Sequence, residues 1–180
     1  MGLFATGPID EVTVNDVALA VGMTPAAVYY HFASKEQILV EGMERFRAAM
    51  LERVRAQPLE RGDVAGVRRC ITDLVVWAGS HRTAATVFFV SSIGINQLVE
   101  AVRRETRLEL VDELREVVSV SRGSSRRAEA GVIAVALVSL IETAMASMLN
   151  RDASFRALGR RRFVAEVGVL ADRIAGITER

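Results

Sequence analysis

Cysteine is nearly absent: Cys70 stands alone among 180 residues, so no internal disulfide framework can form. With no secretory signal either, the expected compartment is the cytoplasm. Proline is scarce, at three residues, and there is no low-complexity tract or internal repeat to interrupt a helical chain. Histidine is limited to His31 and His81, with no paired metal-ligand spacing. No glycine-rich phosphate loop of the recognised kinds occurs, and Ser91-Ser92 has no neighbouring base. An enzyme is therefore not expected, and neither a metal nor a cofactor. Excess charge is missing too: the formal net charge is +1, so any nucleic-acid binding must come from local arrangement. Finally, no uninterrupted apolar run reaches the roughly 18–20 residues of a membrane span. The two most apolar stretches, the uncharged Thr83–Val99 and Ala130–Ile141, read instead as helices buried on most sides.

What remains is a 51% hydrophobic, 25% charged chain, long enough for a sizeable core. It is organised around Thr13–Phe32. Thr13 caps a first short helix, with Asp16 at the third helical position. Val14, Val17, Ala18 and Val21 supply its apolar face, and Gly22 is the stop that tolerates a left-handed backbone. Thr24 caps a second helix with Pro25 at its first position, where a missing N–H costs nothing. Val28 and Phe32 face the first helix, leaving Thr24, Ala26, Ala27, Tyr29, Tyr30 and His31 outward. Two helices around a tight glycine turn make a helix-turn-helix, whose second helix suits the major groove of DNA. A purely structural helical hairpin has the same spacing.

Val17-Ala18, Gly22, Pro25, Val28-Tyr29-Tyr30-His31-Phe32 and Ser34-Lys35-Glu36 resemble the DNA-binding domain of the TetR family of transcriptional repressors, over about Phe4 to Met43. The resemblance implies an all-α fold. Residues 1–45 would form the helix-turn-helix DNA-binding domain, and 46–180 a C-terminal ligand-binding and dimerisation domain. It implies that Thr24, Pro25, Ala26 and Tyr30 approach base edges, with Ala27 beside them on the outer face. Tyr29, His31 and Lys35 would hold phosphates, and Thr13 and Asn15 would abut the DNA backbone. Composition adds weight to one of these: of 23 basic residues, Lys35 is the single lysine. It lies in the first turn of a new helix that Ser34 caps, with Gln37 completing a capping-box pattern.

The N-terminus departs from that family, which begins with a full, often basic helix. Here only Met1–Gly7 precede the loop at Pro8–Val12, and no Lys or Arg occurs before Lys35. Residues 1–60 carry five basic and eight acidic side chains. Phosphate neutralisation supplies much of the affinity for DNA, so the head is electrostatically weak. Either the natural start lies upstream, the favoured expectation, or this is a short form with impaired DNA binding.

Beyond the head, a long helix is expected from Ser34 to about Gln57, ended by Pro58, Gly62 and Asp63. Further helices are expected near Asp63–Ser80, Arg82–Ile93, Gln97–Val120, Ser125–Asn150 and Arg160–Ile177, with Asp152–Gly159 as a connection. Trp77, His81, Phe88, Phe89, Ser92, Asn96, Glu142, Met145 and Met148 form a candidate pocket for a small hydrophobic effector. Plain core packing explains the same residues. Glu142 in an apolar helix needs a partner: an arginine across a subunit interface, solvent, or a ligand, in that order. By the resemblance, the last two helices make a homodimer, and their small residues (Ala130, Ala134, Ala144, Gly168, Ala171) permit close approach. A two-fold dimer predicts a palindromic operator. The function expected is a ligand-responsive repressor acting by population shift. The alternative is a ligand-binding or interaction protein whose DNA binding is lost or weak.

Overall fold

The computed structural model describes residues 1–122 and 127–176, the side chain of Arg127 excepted. Most of the described residues are helical, and none of them lies in a strand. In chain order the helices are α1 (Gly2–Thr6), α2 (Val14–Ala20), α3 (Pro25–His31), α4 (Lys35–Arg55), α5 (Gly66–Ser80), α6 (Arg82–Thr86), α7 (Gln97–Arg122), α8 (Arg127–Asn150) and α9 (Ala153–Ile174). A 3-10 turn at Ile9–Glu11 links α1 to α2, and α6 runs into a π turn at Val87–Ser91.

Caps explain where the head's helices begin. Thr13 and Asp16 form a reciprocal capping box, with the Thr13 N–H donating to Asp16 at 2.9 Å and the Asp16 N–H to the Thr13 hydroxyl at 3.2 Å. The α2 end is a Schellman motif: the Met23 N–H donates to the Ala18 carbonyl and the Gly22 N–H to that of Leu19. Gly22 holds φ +68°, which a side chain would strain. Thr24 caps α3 by accepting from the Ala27 N–H at 3.2 Å. Ser34 caps α4, but the Gln37 side chain reaches back one residue further than expected, accepting from Ala33 N–H at 2.7 Å.

A small cluster of Val14, Ala18 and Val28, with Phe32 and Ile38 against it, holds α2 to α3. The main core runs from Phe4 and Ile9 through α4, α5, α7 and α8 to Ala175. Its centre is fully buried Leu39, Met43, Ile71, Leu74, Leu137, Ile141 and Met145. Arginines clamp α4 onto the body. Arg47 pairs with Glu44 and Glu109, Arg53 with Asp73 at 2.7 Å, and Arg55 with Glu113 at 2.7 Å. Beside this, α6 packs against α1, α4 and α5.

Three expectations need correction. The connection at Asp152–Gly159 is helical: Asp152 caps α9 by accepting from Phe155 N–H at 2.9 Å. A break at Gly159 (φ 71°) then separates this first turn and a half from the rest of α9. The helix expected over Arg82–Ile93 changes register at Val87, closing Ser92 N–H onto the Val87 carbonyl at 3.0 Å. And α8, despite Glu142, is long and apolar enough over Ala128–Asn150 to cross a membrane by length and composition. It packs instead on α7, α9 and α5. The break expected at Gly123-Ser124, the Ser125 helix start and Ile177 lie outside the described residues.

Candidate nucleic-acid interface

The turn at Gly22 and the buried Val28 rotate α3 so that its other face is open. Thr24, Pro25, Ala26, Tyr29, Tyr30 and His31 are exposed, and Ala27 is half-buried at the edge. Tyr30 is 85% exposed, against 56% for Tyr29, and its ring meets the His31 ring edge-on at 5.1 Å. Among the described residues the one ring that meets Tyr30 is that of His31, so most of this large side chain is left open to solvent. Thr24 spends an oxygen lone pair on its cap and keeps its hydroxyl hydrogen.

The flanking residues are more committed. Thr13 and Asn15 are exposed at the start of α2. Yet the Thr13 hydroxyl donates to Asp16 at 2.6 Å, and the Thr13 hydrogen bonds hold the Asp16 carboxyl below its usual range. Lys35 is half-buried. Its ammonium donates to the carbonyls of Asp10 at 2.7 Å and Ile9 at 3.1 Å, tying the 3-10 turn to α4. Its third hydrogen is what a phosphate would compete for. Around it Asp10, Glu11, Asp16 and Glu36 are acidic, so the face carries shape and aromatic surface more than positive charge.

The residues expected to line an effector pocket separate into four groups. Trp77, Phe88 and Phe89 come together around Phe46, whose ring stacks on Trp77 at 5.2 Å and lies 5.4 Å and 6.1 Å from the two phenylalanines. His81 joins this cluster's rim, its ring 4.8 Å from that of Trp77 and its Nδ1 2.9 Å from the Trp77 carbonyl. Met145 and Met148 are buried in the core. Ser92 and Asn96 serve the backbone: Ser92 donates to the Phe88 carbonyl that the π turn leaves free, at 3.1 Å, and Asn96 caps α7 by accepting from Val99 N–H at 3.0 Å. Arg103 donates to that same Phe88 carbonyl. Glu142 pairs with Arg107 of its own chain, and Arg107 also donates to Ser139 at 3.0 Å. Phe46, the centre of the aromatic cluster, is absent from the sequence-derived pocket. Its place on the apolar stripe of α4, facing the body, was the signal that could have found it.

Two open cavities lie elsewhere. One, of about 310 Å³, runs along the outer face of α8 and α9, where it meets Ala144, Ser147, Phe163 and Leu170. The other, of about 380 Å³, sits at the α8–α9 turn. None of the nine expected pocket residues lines either.

Comparison with known proteins agrees with the geometry. The description of bacterial regulatory proteins of the tetR family matches residues 1–41, the segment that contains α1 to α3. No curated protein matches the chain in sequence. In fold, the chain is similar to the fatty acid degradation regulator FadR from Bacillus halodurans, with TM-score 0.68 and 16% identity over 98% of this chain and 94% of that one. It is similar also to AmtR from Mycobacterium smegmatis, with TM-score 0.64 and 20% identity over 99% of this chain and 83% of that one. The sequence match assigns residues 1–41, the helix-turn-helix head, to the tetR family of bacterial regulatory proteins, and the chain as a whole shares its fold with these two solved structures.

Proposed function

We propose that the protein is a homodimeric repressor that a small hydrophobic molecule releases from a palindromic operator. The observation that carries this is α3: a capped helix whose Thr24, Pro25, Ala26, Tyr29, Tyr30 and His31 stand free of the fold. In this reading residues 1–45 are the DNA-binding unit, and residues 46–180 bind the effector and the partner. Tyr30 and the α3 start meet base edges. Tyr29, His31 and Lys35 meet phosphates, with Thr13 and Asn15 beside the backbone.

The dimer reading is supported by α8 and α9. Val132 and Val135 are exposed on α8, and exposed Leu170 of α9 lines the groove with Ala144 and Phe163. A partner's helices would cover this face and give two reading heads, hence a palindrome. The effector reading is supported by the aromatic cluster of Phe46, Trp77, Phe88 and Phe89, which joins α4 to the body. A ligand wedged there would retilt α4, and affinity for the operator would fall by its preference for that conformer.

A specific observation favours a second reading. Lys35, four residues past the end of α3, already serves two carbonyls, and no Arg or Lys precedes it in the sequence. A ligand-binding protein with weak or lost DNA binding fits those facts. Selection of bound duplexes from a random pool at two salt concentrations decides. Enrichment of a palindrome supports the repressor, whereas a folded dimer that enriches nothing leaves the second reading.

A further inference from the structure

Arginine is the chain's main cation, and most of the described arginines are matched to a carboxylate within ion-pair distance, as Arg47, Arg53, Arg55 and Arg107 are. Four that are not so matched line one cavity. It has a volume of about 380 Å³ and is bounded by Arg82, Arg151, Arg156 and Arg160, with Phe155 and Gly159 completing the wall. Three elements bring them together: Arg82 opens α6, Arg151 turns the chain between α8 and α9, and Arg156 and Arg160 follow on α9. Two are oriented by backbone. Arg82 donates to the Leu149 carbonyl at 2.6 Å, and Arg160 to that of Val76 at 3.4 Å. Among the described residues no carboxylate stands within ion-pair distance of Arg151 or Arg156. Asp152 exerts a longer-range attraction on Arg156, but its own oxygen is engaged by the Phe155 N–H.

Like charges gathered around one space repel, and the repulsion is relieved when an anion fills it. Four guanidiniums against the one carboxylate of Asp152 leave an excess of about three charges, more than a lone carboxylate ligand neutralises. Planar forks that converge from several sides match the tetrahedral oxygens of phosphoryl groups, bidentately and without regard to pH. Phe155, half-buried beside Phe163, adds an apolar wall for an organic portion. We propose that this cavity is a binding site for a phosphorylated small molecule bearing two or more negative charges. It is separate from the aromatic cluster and does not rest on the repressor reading.

Pyrophosphate titrated into the full chain at constant ionic strength tests it by calorimetry and thermal shift, with acetate as comparator. The expected result is saturable binding at one site per chain, tighter than acetate by about tenfold or more. Arg151→Gln and Arg156→Gln should each weaken it about tenfold, as for loss of a charged hydrogen bond, with melting of the free protein unchanged. Arg45→Gln, which removes an exposed pair with Glu41 on α4, should leave it intact. A nucleoside diphosphate run in parallel distinguishes a phosphate ester, which would bind tighter through Phe155, from a free polyphosphate; both orders support the site. A non-saturating response, or equal loss in Arg45→Gln, overturns it. So does a result in which the Arg151 and Arg156 variants lower only the salt dependence of duplex binding, which would make the cluster a nucleic-acid contact.

Discussion

Lys35 serves two partners inside the chain, and a phosphate would be a third. Its ammonium closes the 3-10 turn onto α4 through the carbonyls of Ile9 and Asp10. If it also neutralises a phosphate, Lys35→Ala lowers affinity for all duplexes and reduces the slope of log K against log salt by about 0.9. That is the expected outcome of binding isotherms at three or more salt concentrations. A loss of affinity with no change of slope would assign Lys35 to holding the turn alone. Cys70 offers a second test at this scale. Burial pushes its thiol from 9.0 up to about 12. The fold therefore favours the neutral thiol, while the unfolded chain ionises above 9. Stability is unaffected below that pH and declines as pH rises from 9 towards 12. Native protein at pH 8.5 should resist iodoacetamide, urea-unfolded protein should react at the rate of a free thiol, and Cys70→Ala should remove part of the alkaline slope of stability.

Among the elements, α9 is seated on α5 at Gly168. A Cβ there would lie 2.7 Å from the Thr72 methyl and 3.0 Å from Arg68 Cγ. Gly168→Ala gains helix propensity but overpacks this contact, and a net destabilisation of about 1–3 kcal/mol is expected from urea unfolding. Unchanged stability would mean the two helices separate freely. The element scale is also where the sequence was most and least readable. The boundaries of α2 and α3 could be read because Thr13, Gly22, Thr24 and Pro25 each do a local backbone job that needs that residue type. The start of α9 could not, because the six residues between Asp152 and Gly159 are too few to show a helical stripe between two turn-forming residues. Asn96 and Ser92 have the chemistry of ligand contacts, and only the structure shows them satisfied by Val99 N–H and the Phe88 carbonyl. The π turn has no local signature, since its extra residue is fixed by packing of Phe88 and Phe89 against Phe46.

At the scale of the molecule, the body presents an apolar face on α8 and α9 that includes Val135 and Leu170. Leu170→Glu would place a charge in the proposed subunit contact. Sedimentation should then show monomer, and binding to a two-half-site duplex should fall by at least about a hundredfold while the helical content persists. A dimer that survives this change would move the interface elsewhere. Less than half of the most apolar stretch of α8 is buried within its own chain. If a second chain supplies the remainder, as in the proposed dimer, subunit concentration acts as a stabilising ligand for the fold. Each tenfold dilution then removes about 1.4 kcal/mol from the dimer. The melting temperature becomes a reading of abundance, and a cell holding few copies loses them to unfolding sooner than one holding many.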